Sequence, residues 1–434
     1  MKKSLIFLFV FIINYVWAEN ITLDEILEYA TGHALPLKIK KSEIEIETKN
    51  IESAKSEYFP KIDALYNTEY TKSLDGTPLG TESVGGITIS NGTRYQNTAV
   101  LQLNYNLYHF GTTDRQVAIA SANRAIKKKE WCLEEKNLHQ QIARVYTDAL
   151  KRLYEKKYKL QMISIRKKMY EAGERLYKAG QYSKMDLGSE AMAIIELERD
   201  IESAAMQYKE DILQLSKLSY MELKPDTRLL PLVGGKVELS RTSYEETPEA
   251  EMLKKKILQK RDEISLAARE QLPSIALYSN YYLYSSHPKQ AAYPILHIGQ
   301  KSWNIGFSVR FNLFNGFKNS AYREKLFLEL QNLQYEYEAA KHTYEHKIES
   351  AHSKIEELTL LHKKEKSLLA ENKNSLSMVI RLRKNRQVDM MTRLNTEYRL
   401  LERRLNMEIR GIEVAFEKVM LKITSRGVNR CTLH

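Results

Sequence analysis

Across more than a hundred residues, from Gly111 to Pro225, the chain has no proline, and from Gly111 to Gly173 it has no glycine either. A second such stretch runs from Gly316 to Gly411. Proline and glycine are the residues that end or kink helices, so their absence excludes a string of short elements there and leaves helices far longer than a globular domain needs. Cysteine is almost absent. Cys132 and Cys431 are the only two among 434 residues; they are too few and too far apart to read as a disulfide framework, so no bond between them is expected. A long apolar run is also missing once the first residues are set aside. Lys2 and Lys3, an apolar run from Leu5 to Trp17, and Val16 and Ala18 at small-residue positions read as a signal peptide over 1–18, with no cysteine after the cleavage site for a lipid anchor. Beyond it no run of about 18 apolar residues occurs, which excludes a transmembrane helix. If this chain crosses a membrane it must do so as a barrel. Acids are the scarcer charge, 55 against 67 Lys and Arg, for a net charge of +12. In an exported chain that excess points to anionic lipid, acidic partner surfaces or anionic cargo rather than to nucleic acid.

What is present follows an order. Thr22 and Glu25 form a capping box at a helix start. A second helix follows Pro36 and ends before Pro60. From Ile62 the apolar period becomes two, with Ile62, Ala64, Tyr66, Thr68 and Tyr70 opposite Asp63, Asn67 and Glu69. A polar, glycine-rich segment from Asp75 to Gly92 reads as an exposed loop. A second strand carries Ala99, Leu101, Leu103, Tyr105 and Leu107 on one face. The proline-free stretch then carries Leu138, Ile142, Val145, Ala149 and Leu153 at threes and fours, a seam of coiled-coil type. Its roughly sixty helical residues would form a rod of about 90 Å. The chain turns near Gly180 and a returning helix runs to about Ser219.

The same programme then recurs. Thr247 and Pro248 open a helix that Pro273 closes. The segment AKSEYFPKIDALY at 54–66 returns as AAREQLPSIALY at 267–278. A tyrosine-rich strand without clear sidedness is followed by WNIGFSVRFNLFNG, residues 303–316, where Trp303, Ile305, Phe307, Val309, Phe311 and Leu313 alternate with polar residues. NLYHFG at 106–111 matches NLFNG at 312–316, and LYKAGQYSKM at 176–185 matches LRKNRQVDMM at 382–391. The second long helix has a seam through Leu326, Leu330, Leu333, Tyr337, Ala340, Tyr344, Ile348, Ala351, Ile355 and Leu358. The expected organisation is a first repeat over 19–220, a connector over 221–246, a second repeat over 247–424 and a tail over 425–434. The fold class is mixed and mainly α, with four strands per chain. Four strands are too few to close a transmembrane barrel, so the strands must be completed by other copies; three copies give twelve.

The helix entry ITLDEIL, the helix-to-strand prolines Pro60 and Pro273, the junctions NLYHFG and NLFNG and the duplicated order resemble the TolC-like outer-membrane factors of efflux pumps and type I secretion systems. The resemblance spans essentially the whole chain after the leader. It implies a homotrimer with a 12-stranded barrel in the outer membrane and a helical coiled-coil tunnel reaching into the periplasm, where a periplasmic adaptor and an inner-membrane transporter dock. It implies an efflux duct for small toxic compounds, not an enzyme, with no cofactor. A type I protein secretion duct is the alternative within the same architecture, and a periplasmic coiled-coil scaffold without a pore is the rival outside it.

In that family the turns at the tunnel tip carry a glycine followed by small, polar and acidic residues that meet the adaptor and form the constriction. Gly180, Ser183 and Asp186 match in the first copy. The second departs, with Arg386 at the glycine position and Thr392 and Asn395 where aspartates are frequent; Arg383 and Asp389 complete the candidate tip set. An Arg383 to Asp186 contact that holds the tip closed is one expectation, and two solvated helix-end residues is the other. KRLYEKKYKLQMISIRKK and KKEKSLLAENKNSLSMVIRLRKNR approach the two turns as a basic collar, read either as a solvated face or as a positive surface for acidic partners. His342 and His346, four apart, lack a HEXXH arrangement, and an exposed polar face accounts for them better than a metal. The tyrosines, 27 in all, fit the interface girdles of a barrel.

Overall fold

The computed structural model describes residues 20–72, 79–84, 87–91, 94–232, 243–287, 289 and 297–425. The leader over 1–18 and Cys431 lie outside the described residues. No helix is long and apolar enough to cross a membrane among the described residues. The chain divides into two units: one comprises residues up to Ile39, Trp131–Pro248 and the residues from Lys341 on, the other Lys40–Glu130 and Glu249–Ala340.

In the second unit, helix α2 (Leu35–Ser56) leads through Pro60 into strand β2 (Lys61–Thr71). β3 (Leu79–Val84) and β4 (Ile87–Asn91) follow as a short antiparallel hairpin. This corrects the loop expected there: Ile87 and Ile89 alternate with Thr88 and Ser90, a period of two that the glycines around it outweighed. β5 (Arg94–Tyr108), helix α5 (Pro248–Arg269), β7 (Ser274–His287) and β8 (Gln300–Arg310) complete the unit's elements. The four long strands form one antiparallel sheet in the order β2-β5-β7-β8. Its last rung pairs Ser274 with Arg310. The apolar alternation of residues 303–313 therefore outlasts the strand, because Pro273 precedes the first residue of β7 and has no N–H to extend the ladder. A Cβ at Gly306 would lie 2.7 Å from the hydroxyl of Tyr278 on the paired strand, so any larger residue there has to displace that ring.

Helix α3 (Thr112–Lys178) and helix α6 (Lys318–Lys384) are 67 residues each and contribute to both units. Within the sheet-bearing unit, Arg115 pairs with Asp262 at 2.7 Å, Lys127 with Glu43 at 3.0 Å and Lys260 with Glu329 at 2.9 Å. These pairs tie α3 to α2 and α5, and α5 to α6.

The other unit begins with β1 (Asn20–Ile21), parallel to β6 (Arg228–Leu229), and helix α1 (Leu23–His33). Thr22 and Glu25 close the capping box reciprocally, satisfying two orphan backbone donors at the start of α1. Helix α4 (Lys184–Ser219) returns from α3, and helix α7 (Met390–Thr424) returns from α6. The predicted seam of α3 is packed: Leu138, Ile142 and Ala149 are buried. A second flank of the same helix, Ala143, Tyr146 and Leu150, is fully buried as well. There the Tyr146 hydroxyl donates to the Leu230 carbonyl at 2.6 Å and lies 3.1 Å from that of Ile21, binding α3 to the β1–β6 pair. Burial pushes this phenol well above its ordinary pKa. On α6 the seam leaves Leu326, Tyr344 and Ile355 buried. Cys132, also buried, is disulfide-bonded, which overturns the expectation that the cysteines stay unpaired.

Candidate functional site

The two helical turns that the sequence singles out share one backbone design. α3 closes with the Gly180 N–H donating to the Tyr177 carbonyl at 2.9 Å and the Gln181 N–H to that of Leu176 at 2.9 Å. α6 closes with the Arg386 N–H on the Arg383 carbonyl at 3.0 Å and the Gln387 N–H on Leu382 at 3.0 Å. This is the Schellman arrangement, which needs a left-handed residue at the first position past the cap. Gly180 supplies it at φ +69 without strain. Arg386 supplies it at φ +59 with a Cβ that crowds the backbone. Arg386→Gly should therefore slow local opening of this turn. A gain of about 1 kcal/mol makes exchange of the Gln387 amide roughly fivefold slower, and Gly180→Ala should speed exchange at Gln181 by a similar factor. Hydrogen exchange read at those two amides checks both.

Each returning helix is capped by a residue three positions past the Schellman glycine or its replacement. Ser183 caps α4, its hydroxyl accepting from the Asp186 N–H at 3.0 Å and donating to the Asp186 carboxylate at 2.6 Å. Asp389 caps α7, its carboxylate accepting from the Thr392 N–H at 2.7 Å. The Thr392 hydrogen bonds hold the Asp389 carboxyl below its ordinary range, and the positive charge of Arg383 adds to the effect. A lowered carboxylate pKa means that the cap contributes fully above about pH 4 and is lost as the pH falls through the depressed value.

The candidate residues thus gather at each turn separately. Arg383 donates to the Val388 carbonyl at 3.2 Å within its own turn. Among the described residues no ion pair joins it to Asp186, whose carboxylate is engaged with Ser183. Asn395 is exposed one turn further along α7.

A joint between the turns was not legible as such in the sequence. Ile165 and Met169 of α3 pack on Leu394 of α7, with Met391, Tyr398 and Leu401 against them. The Arg166 guanidinium stacks 4.3 Å from the centre of the Tyr398 ring and pairs with Glu190 of α4 at 2.9 Å. One side chain therefore binds three helices by cation–π and charge-assisted contacts. It sits in the run read as a basic collar; the spacing of Met162, Ile165 and Met169 was the signal that part of this run faces inward.

The collar itself divides. On α3, Lys159 pairs with Asp200 at 3.0 Å and Lys167 with Glu198 at 3.1 Å. On α6, among the described residues, Lys363, Lys366, Lys373, Arg381 and Lys384 make no ion pair. The rings of His342 and His346 meet edge to face at 4.5 Å, and among the described residues no three His, Cys, Asp or Glu side chains are grouped to hold a metal.

Residues 37–219 match the family model of outer membrane efflux proteins. Curated proteins give no sequence match. In fold the chain is similar to CusC, with a TM-score of 0.78 and 13% identity over 93% of this chain and 92% of that one, a protein whose crystal structures follow folding and transmembrane channel formation. It is similar to the outer membrane protein VceC of Vibrio cholerae, at TM-score 0.72 and 14% identity over 93% and 96% of the two chains. It is likewise similar to the CmeC outer membrane channel of Campylobacter jejuni, at TM-score 0.75 and 13% identity over 93% and 85%. The chain thus has the mainly helical fold of these channels.

Proposed function

We propose that this chain, whose residues 37–219 match the family model of outer membrane efflux proteins, is the outer-membrane exit duct of a tripartite efflux pump. The observation that carries the reading is the sheet. Among the described residues, both of its outer strands, β2 and β8, have one edge with no partner strand. On β8 the large side chains Trp303, Ile305, Phe307 and Val309 are 70%, 60%, 71% and 68% exposed. Open edges and a broad apolar face are hazards in water. Both are answered if copies of the chain join edge to edge into a closed barrel whose greasy face meets lipid. Three copies of a four-stranded sheet give about twelve strands, an even number of the kind such barrels have.

In this reading the helix pairs α3–α4 and α6–α7 form a periplasmic conduit, and the two halves of the chain act as structural repeats. A periplasmic adaptor and an inner-membrane transporter meet the two capped turns, with Gly180, Ser183, Asp186, Arg383, Arg386, Asp389, Thr392 and Asn395 as the contact set. The duct does no chemistry of its own; energy comes from the transporter. The family's description as efflux proteins favours small solutes as cargo over secreted proteins.

The test is fractionation followed by mass. Expressed with its leader, the protein should sediment with the outer membrane, and light scattering in detergent should give about three times the 50.6 kDa chain mass, less the leader. Reconstituted in a planar bilayer it should conduct. A soluble periplasmic species, or a monomer in detergent, would sink the reading in favour of a scaffold.

A further inference from the structure

The chain holds two cysteines, and Cys132 is disulfide-bonded. Its side chain is buried, next to that of Trp131, whose indole N–H donates to the Leu37 carbonyl at 3.1 Å. Three and seven residues further along α3, Glu135 and His139 are buried as well and approach the Thr31 hydroxyl of α1 at 3.5 and 2.9 Å. Cys132 thus belongs to a packed flank of α3. A sulfur so placed is out of reach of a second copy unless the packing opens, whereas the same chain can bring its own end there as it folds.

The register of α7 on α3 tells which part of the chain arrives. The two helices run antiparallel and their contacts keep step: the Arg166 guanidinium lies 4.3 Å from the Tyr398 ring centre, Tyr158 meets Glu408 at 3.5 Å, Lys151 meets Glu413 at 3.3 Å, and Gln140 meets Thr424 at 3.1 Å. From Tyr398 to Thr424 α7 advances 26 residues, and from Arg166 to Gln140 α3 recedes by the same 26. Equal rise per residue in the two helices gives that match. The last turn of α7 is packed, since Leu421, Ile423 and Thr424 are all buried. Cys431 stands seven residues beyond Thr424, and Cys132 eight residues back from Gln140. Seven residues cover about 10 Å as helix and more in any extended form, against about 12 Å of α3 between Gln140 and Cys132. A disulfide needs its two Cα atoms within about 7 Å, and the register brings Cys431 to the level of Cys132.

We propose that the partner of Cys132 is Cys431 of the same chain, and that this bond clasps the end of α7 to α3. The closure is an oxidation. Both thiols give up their hydrogens and two electrons to a protein oxidant that carries a disulfide; the Sγ–Sγ bond forms in this chain, and the oxidant's disulfide is reduced to two thiols. A chain bound for the outer membrane passes through a compartment where such oxidants act. With the bond in place α7 is held covalently at its end and by Leu394 at its start, so it cannot slip along α3.

Full-length protein from outer membranes tests this. Denatured without reductant, blocked with an alkylating reagent and digested with trypsin, it should yield residues 130–136 joined to residues 431–434 as one species, which reduction splits into the two peptides. The heated protein should run as a single chain on a non-reducing gel. Both peptides alkylated before reduction, or residues 130–136 linked into a two-chain band, would overturn the bond. The hold on α7 is read by hydrogen exchange at Thr424 and Ser425; the Ser425 N–H donates to the Leu421 carbonyl at 2.8 Å. Cys431→Ser and reduction of the parent should each speed exchange at these amides by roughly tenfold or more. A cross-link whose loss leaves them unchanged overturns the clasp. Neither result moves the mass or the conductance that test the duct.

Discussion

Arginine in place of Ile305 should abolish accumulation of the assembled protein in the outer membrane. Ile305 is the middle residue of β8 and shares its face with Trp303, Phe307 and Val309, all exposed in the single chain. A transmembrane strand takes about 9–11 residues, and β8 has 11, so in the proposed barrel its centre falls near the bilayer midplane. An arginine facing lipid at that depth costs about 2–4 kcal/mol, and every copy in the assembly bears it. Ser308→Arg is the control, because Ser308 points to the opposite face with Asn304 and Gly306. Heat-modifiable trimer on a gel of outer-membrane fractions reads both variants. Loss with Ile305→Arg and retention with Ser308→Arg is the expected pair. Equal, normal accumulation of both would mean that the apolar face of β8 does not meet lipid.

The parts of the fold that were legible in the sequence are those whose signal is local and periodic. The capping box at Thr22 and Glu25, the stop signals at Pro60 and Pro273 and the seams of α3 and α6 each depend on residues within a turn or two of one another, and each lies where the spacing puts it. The hairpin at 79–91 was obscured because its glycines are also what a loop would carry, and only Ile87 and Ile89 speak for a strand. The second buried flank of α3 was obscured for a different reason. Tyr146 is buried where Ile21 of β1 and Leu230, just past β6, offer their carbonyls to its hydroxyl, and spacing along α3 holds no trace of that. The candidate residues lie at or near the two helical turns. Of the two expectations for Arg383 and Asp186, this chain shows helix-end residues: Arg383 binds Val388 and lies near Asp389, and the Asp186 carboxylate is engaged with Ser183, because the capping geometry of each returning helix consumes the nearest polar group first.

The second large effect is expected at Leu394. This side chain is 1% exposed and lies between Ile165 and Met169 of α3, where it locks the first turns of α7 onto the neighbouring hairpin. Leu394→Ala removes atoms from a packed site that Tyr398 and Leu401 cannot refill, since both are anchored on α7 itself and Tyr398 is held under Arg166. Such truncations cost about 2–5 kcal/mol, which corresponds to a local opening constant raised by roughly 30- to several-thousand-fold. The cost falls on the joint between α3 and α7, so amides in the first turns of α7 should exchange faster by that order, while those of β5 and β7 keep their protection. Met390→Ala, four residues earlier and partly exposed, should change exchange by less than about threefold. In a bilayer, the Leu394→Ala protein should pass a larger or noisier current than the parent if the two capped turns line the narrowest part of the conduit. Faster exchange with an unchanged current would put the constriction elsewhere, and unchanged exchange would show that Arg166, held by Glu190 and Tyr398, keeps the joint closed without the leucine.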